Sequence, residues 1–214
     1  SGGRRNDLET MRRSVPLHYT DYGYGFHEIK LAFHHTLYQW IPYFRETTLS
    51  WDGGESRHNQ NIDSFSFHCA MAGMLSIAID IRKDGYDFAL IRRMIEVWRR
   101  AAPHLLHGDH YALTPFSKSP ERWVVAQFDS PERGEGYIQA IRHRDSADGR
   151  FTARPRGLAP DATYVLEEGE TGRTWTASGR ELLEQGATFE LPPRSGSIWF
   201  YRRRQDDAGG ATNG

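Results

Sequence analysis

The sequence predicts an α/β fold followed by an all-β one, and two observations carry that prediction. Through the first half of the 214 residues, short apolar strands alternate with amphipathic helices, an order that points to a parallel sheet. After about Leu113 the pattern becomes frequent short alternating runs punctuated by Gly, Pro, Asp and Asn, which suggests an antiparallel β-sandwich. The expected boundaries are 1–112 for the strand–helix units, 113–204 for the β domain and 205–214 for a small, polar, disordered tail.

The chain opens with Ser1-Gly2-Gly3, where two residues without a Cβ let the backbone turn tightly and approach a ligand closely. A short polar helix follows, then a strand over Val15–Tyr19, whose alternation and Val, Leu and Tyr content suit extended backbone. Asp21 falls just past the C-terminal end of that strand, which is where an α/β barrel keeps its catalytic groups. It sits among Tyr19, Tyr22, Tyr24 and Phe26, rings able to make a partly dry pocket that disfavours a carboxylate anion. An acid in such a place also serves as a helix cap or loop residue, and composition alone does not separate the two.

The helix expected over Glu28–Tyr38 has an apolar stripe of Ile29, Leu31, Ala32, Phe33, Leu37 and Tyr38. Gln39–Phe44 reads as a strand around Trp40-Ile41-Pro42-Tyr43, and Arg45–Asn61 as a long polar loop. Within that loop, Trp51-Asp52-Gly53-Gly54 presents either a ring that stacks on a sugar or a Trp packed into a tight turn. Cys69 lies in the apolar stretch Phe65–Ile79 and reads as a small core residue. Met74–Ile79 reads as a buried strand ending at Asp80 and Arg82, which suit a structural ion pair. Asp84-Gly85 turns the chain into a helix over Phe88–Ala102, with Phe88, Ile91, Met94, Ile95 and Trp98 on its core face and Pro103 at its end. The first region thus counts three strand–helix units. Beyond it, strands are expected at Trp123–Phe128, Gly136–Arg142, Thr163–Leu166, Thr174–Thr176, Thr188–Leu191 and Ser197–Tyr201.

A formal net charge of −1 sets up no long-range field toward nucleic acid or membrane, and neither partner is expected. The cluster Arg202-Arg203-Arg204 reads as a solvated chain end. A single cysteine excludes an internal disulfide framework. The longest apolar run, near Ala70–Ile79, is too short to span a bilayer and no leader pattern opens the chain, so a soluble protein is expected. His104, His107, Asp109 and His110, with His68 elsewhere, invite a metal reading. Their spacing fits no familiar zinc pattern, no Cys supports it, and a helix ending at Pro103 leaves them off a common face, so no metal is expected. A Gly-x-Ser-x-Gly turn and a phosphate loop are both missing.

The run Ser1-Gly2-Gly3-Arg4-Arg5-Asn6-Asp7-Leu8-Glu9, then Arg13-Ser14-Val15-Pro16-Leu17 and Thr20-Asp21-Tyr22, resembles the α-galactosidases of glycoside hydrolase family 36. Further matches are Trp40-Ile41-Pro42-Tyr43, Ile79-Asp80-Ile81-Arg82, Gly108-Asp109-His110-Tyr111, Leu113-Thr114-Pro115, Gln127-Phe128-Asp129 and Gly134-Glu135-Gly136. The resemblance implies that the first region is the C-terminal part of a (β/α)8 catalytic barrel and that the chain is the C-terminal part of a longer polypeptide. Three units cannot close such a barrel, which usually needs on the order of 250 residues. It implies a retaining glycosidase acting on a terminal α-galactoside, in an oligosaccharide or a glycoconjugate, with no cofactor. Such enzymes use two carboxyl groups roughly 5–5.5 Å apart, one as nucleophile and one as acid/base. Asp21 aligns with the acid/base, whereas the nucleophile belongs to a Lys-Trp-Asp-like motif that this chain does not contain.

By the same resemblance, Ser1 and Gly2 form the sugar-contacting turn, Arg5 and Asp7 brace it, and His18 stands where many members place a Trp lining the site. The β domain would support the barrel and can assist homo-oligomer assembly. Three alternatives share these residues: an α-N-acetylgalactosaminidase, a transglycosylase, and a non-catalytic carbohydrate-binding or scaffold protein of the same fold.

Overall fold

The computed structural model describes residues 8–13, 17–18, 27–40, 44–48, 62–77, 79, 82 and 84–204. The chain forms two compact units, one within Ser1–Leu106 together with Phe116–Ser119, the other within His107–Pro115 and Pro120–Gly214. None of the described helices is long and apolar enough to cross a membrane.

The first unit alternates as the sequence leads one to expect. Helix α1 (Leu8–Arg13) precedes strand β1 (Leu17–His18), and helix α2 (His27–Leu37) leads to strand β2 (Phe44–Thr47). Helix α3 (Ser64–Ala70), strand β3 (Met74–Ser76) and helix α4 (Phe88–His107) complete the unit. The three strands pair in the order β1-β2-β3, and both pairings are parallel. Parallel neighbours need a crossover connection, and each crossover here contains a helix.

Several boundaries differ from the sequence reading, each for a physical reason. Of the strand expected at Gln39–Phe44, Gln39 and Trp40 stand in a turn, with 81% of Trp40 exposed, positions 41–43 lie outside the described residues, and Phe44 opens β2. Among the described side chains of that strand Glu46 is the buried one, a charge that pattern reading assigns to a loop. Helix α3 escapes pattern reading because every one of its residues from Phe65 to Ala70 is buried, which leaves no amphipathic period to detect. Asp63 caps it, accepting from the Ser66 amide at 2.8 Å, and Cys69 is fully buried as expected of a small core residue. The strand expected over Met74–Ile79 is shorter, and Met74 at its start is exposed.

Helix α4 runs through Pro103 instead of ending there. Proline removes one helical hydrogen bond, but the buried face of Ile91, Met94, Val97, Ala101, His104 and Leu105 continues across it and holds the last turn. Phe88, expected on that face, is half exposed at the helix start. Trp98 donates its indole N–H to the Ala72 carbonyl at 2.9 Å, tying α4 to the turn before β3.

The second unit is built on a six-stranded antiparallel sheet. Its strands are β4 (Asp109–Ala112), β5 (Trp123–Ser130), β6 (Glu135–Arg142), β8 (Thr163–Glu168), β9 (Thr174–Ser178) and β11 (Ser195–Arg203), in the order β4-β5-β6-β11-β8-β9. Strands β7 (Arg150–Ala153) and β10 (Ala187–Glu190) form a separate two-stranded ribbon, and helix α5 (Gly179–Glu184) lies between β9 and β10 in sequence. One core joins all three parts: Val125, Ile138, Leu166 and Trp199 from the sheet, Ala153 and Phe189 from the ribbon, and Leu182 from α5. The second layer of the expected sandwich is therefore a ribbon plus a capped helix. That cap is a reciprocal Ser178–Glu181 box, with the Glu181 amide donating to Ser178 Oγ at 3.1 Å.

A buried polar chain crosses the sheet. Gln127 Nε2 donates to Tyr201 Oη at 2.9 Å and to the Arg156 carbonyl at 2.8 Å, and the Arg156 amide donates back to Gln127 Oε1 at 2.7 Å. Tyr201 in turn donates its hydroxyl to Asp129 Oδ1 at 2.7 Å. Burial pushes the Asp129 carboxyl above its ordinary value, Asp109 and Glu132 add to that push, and the Tyr201 hydrogen bond partly offsets it. Gly136 makes room for this chain. A Cβ there would fall 2.3 Å from the Phe128 carbonyl oxygen and 2.4 Å from Tyr201 Oη. Gly136→Ala is expected to destabilise the protein by about 1–3 kcal/mol, the usual range for overpacking, read as a lower urea midpoint. An unchanged midpoint would show that the sheet gives way freely at this point.

Candidate active site

Ligand sites of parallel α/β sheets form at the C-terminal ends of the strands. In this chain those ends are His18, Thr47 and Ser76. His18 pairs in register with Arg45, and Arg45 with Met74, so β2 and β3 run two residues beyond the row in which β1 stops. Asp21 follows His18 by three positions. Ser1, Gly2, Arg5, Asp7, Asp21, Trp51 and Asp80 all lie outside the described residues, as do the aromatic residues around Asp21. Of the expected site, then, the backbone of His18 is placed, at a strand's C-terminal end.

What the structure adds is a buried ionic cluster beside that edge. Lys30, on the first turns of α2, is 1% exposed and donates from Nζ to the Thr47 carbonyl at 2.6 Å. Its ammonium lies 3.9 Å from Glu46 Oε1, and Glu46 itself is 2% exposed. One helical turn on, His34 Nε2 stands 3.8 Å from Glu46 Oε2, close enough to act on the carboxylate electrostatically. The Thr47 amide donates to Glu46 Oε1 at 2.8 Å. Burial by itself would raise the pKa of Glu46, but His34, Lys30 and the Thr47 amide together outweigh it and hold the carboxyl below its usual range. The cluster is thus a fixed anion locked to a fixed cation, and it clamps α2 onto the last residue of β2.

The same helix face continues with Tyr38, whose hydroxyl donates to the Met71 carbonyl at 2.9 Å and whose ring meets His34 edge-on at 5.7 Å. At its other end, His27 is fully buried and packs edge-on against Phe65 of α3 at 5.0 Å. The stripe expected on α2 is apolar. The observed buried face instead mixes Leu31 and Ala32 with His27, Lys30, His34 and His35. The spacing Lys30, His34, Tyr38 puts polar heads on successive turns, and that i, i+4, i+8 pattern is the signal the sequence offers.

His104 and His107 sit on α4, a turn apart, because the helix passes Pro103; Asp109 and His110 follow in β4. Among the described residues no three of His, Cys, Asp and Glu converge as a metal-binding set.

Solved structures that share this fold include α-galactosidases of glycoside hydrolase family 36. The galactosidase domain of the α-galactosidase–sucrose kinase AgaSK matches with a TM-score of 0.65 at 17% identity, over 83% of this chain and 25% of its own. The family 36 α-galactosidase AgaB from Geobacillus stearothermophilus gives 0.65 at 17%, over 83% of this chain and 24% of its own. A variant of AgaA from the same organism, in complex with raffinose, gives 0.64 at 16%, with the same two coverages of 83% and 24%. The likeness is one of fold, and this chain spans about a quarter of the length of those proteins. No protein-family model and no curated protein sequence matches the chain.

Two outcomes follow from the cluster. Lys30→Met strands a buried carboxylate and is expected to cost about 3–5 kcal/mol, whereas Lys30→Met combined with Glu46→Leu recovers most of that loss; equal losses in the two variants would overturn the pairing. Burial, with His34 beside it, lowers the His35 pKa from 6.5 to about 4. Between those values the unfolded chain takes up a proton that the folded chain refuses, so stability falls as pH drops through that window. Glu46 adds its own loss only below its ordinary value of 4.5. Urea titrations of His35→Gln between pH 6.5 and 4.5 should therefore lose about 2 kcal/mol less than the parent protein.

Proposed function

We propose that this chain carries the general acid/base of a retaining glycoside hydrolase that cleaves terminal α-galactosides. On this reading residues 1–112 are the C-terminal strand–helix units of a (β/α)8 barrel, and 113–204 are a supporting β domain. Asp21 protonates the departing glycosidic oxygen and then, as its conjugate base, activates the water that releases galactose from the enzyme. Ser1 and Gly2 hold the sugar through a close-approaching backbone turn, and His18 borders it. The nucleophile is supplied by residues other than these 214. Substrates would be oligosaccharides with a terminal α-galactose, raffinose among them, or glycoconjugates.

The observation that supports this reading most is the fold. A parallel strand–helix run followed by an antiparallel sheet matches α-galactosidases with TM-scores near 0.65 over 83% of the chain. The parallel pairing of His18 with Arg45 is consistent with it, since His18 ends a parallel strand and Asp21 is three positions further on in the sequence.

General acid catalysis is worth 10²–10⁴ in rate, roughly 3–5 kcal/mol. In the polypeptide that holds the complete site, Asp21→Asn should slow cleavage of an alkyl α-galactoside by about that factor. A nitrophenyl α-galactoside, whose leaving group needs little protonation, should lose far less in the glycosylation step. Equal losses on both substrates in that step would remove Asp21 from the acid role. The 214-residue chain alone is expected to show no turnover, and measurable hydrolysis by it would overturn the assignment of the nucleophile to other residues.

A further inference from the structure

The second unit holds a cleft of about 670 Å³ where the two-stranded ribbon meets β9 and β11. That volume lies in the range of small-molecule sites, about 300–1,000 Å³. Its lining residues include Phe189 and Trp199, both buried. Trp175, partly exposed, stands beside them with its ring centroid 5.2 Å from that of Trp199. The charged groups at the cleft are already engaged: Arg150 is paired with Glu190, and the Arg173 guanidinium lies over the Trp199 ring at 5.1 Å.

Two polar groups of these lining residues are left over. Trp175 Nε1–H and Ser197 Oγ are both shielded from solvent, and neither has a hydrogen-bond partner. Buried polar groups are nearly always satisfied, so an orphan donor and an orphan hydroxyl in two residues that line one cleft require an explanation. A ligand with neutral hydroxyls supplies it, since each hydroxyl can both donate and accept.

We infer that this cleft is a binding site for a neutral saccharide, held against the Trp175 ring with its hydroxyls paired to Trp175 Nε1–H and Ser197 Oγ. The apolar face of a pyranose suits an indole wall, and its ring hydroxyls suit a donor and a hydroxyl that lack partners. An anionic ligand fits less well, because Glu190 neutralises Arg150 and the Trp199 ring holds Arg173. Binding here requires neither Asp21 nor any hydrolysis.

The test uses the whole chain, with indole N–H resonances followed by NMR during titration with methyl α-galactoside, with maltotriose, and with inorganic phosphate. The expected result is a saturable shift of the Trp175 indole resonance with at least one of the two sugars and none with phosphate. Ser197→Ala should weaken that binding about tenfold, the worth of one good hydrogen bond, and Trp175→Phe should do the same while keeping a ring. Ser197→Ala should also leave the free protein equally or more stable, because it deletes an unsatisfied buried hydroxyl. That pairing of lower affinity with undiminished stability is a signature that a merely structural serine would not give. Asp21→Asn should leave the binding intact. No shift with either sugar, a response to phosphate alone, or binding that survives Ser197→Ala and Trp175→Phe but not Asp21→Asn would overturn the inference.

Discussion

The first unit depends on the contact between the Lys30 ammonium and the end of strand β2. Taking a lysine and a glutamate out of water costs several kcal/mol per ion, and only good geometry with further hydrogen bonds recovers it. Here the recovery is visible: Nζ reaches the Thr47 carbonyl, the Thr47 amide reaches Glu46, and His34 flanks the other carboxylate oxygen. The result fixes the rotation and height of α2 relative to β2 more tightly than an apolar face could, since leucine side chains tolerate sliding and a buried ion pair does not. α2 is also the helix that follows β1. His18, in register with Arg45, and His27, fully buried against Phe65, are the described residues on either side of positions 19–26, which lie outside the described residues.

That arrangement also shows where sequence reading succeeds and where it stops. Parallel order is legible because strand–helix alternation admits few other topologies, and the six expected β runs are legible because period-two alternation and glycine turns mark them. Helix α3 is not, since a segment buried on all sides has no polar face to supply a period. The polar interior of α2 escapes for the converse reason. Lys30, His34 and Glu46 look like surface residues until the two cationic side chains are seen to flank the buried carboxylate, and a single sequence does not display such pairing. Two further elements do carry a signal: Ser178-Gly179-Arg180-Glu181 is a capping-box signature for α5, and Arg150–Ala153 alternates, as does its partner Ala187–Glu190. The candidate acid is legible through motif likeness, because one aspartate after a short strand has too many ordinary uses for composition to choose among them.

The resemblance motifs beyond the first strand acquire a different meaning from the structure. Asp109 pairs in register with Asp129, and Asp129 with Gly136, so the Gly108–Tyr111, Gln127–Asp129 and Gly134–Gly136 motifs lie on three adjacent strands. Their residues serve one packing problem. Tyr201 must bring its hydroxyl to Asp129 and Gln127 across β6, and only a glycine at 136 leaves space for it. The likeness to α-galactosidases at 17% identity is one of fold and does not by itself carry their chemistry.

The two units therefore carry unequal weight for function. In the second, the polar chain through Gln127, Tyr201 and Asp129 is closed: each group named has a partner inside the protein, so it reads as structure. The cleft at Trp175 and Ser197 is open, because its two polar groups have none. Buried polarity that is satisfied specifies a fold, and buried polarity that is unsatisfied is most simply satisfied from outside. The Lys30–Glu46 cluster is mixed by that criterion, since Lys30 Nζ and Glu46 Oε1 are hydrogen-bonded inside the protein while Glu46 Oε2 faces His34 at 3.8 Å without a hydrogen bond; its tie to the Thr47 carbonyl makes it a support for the strand edge.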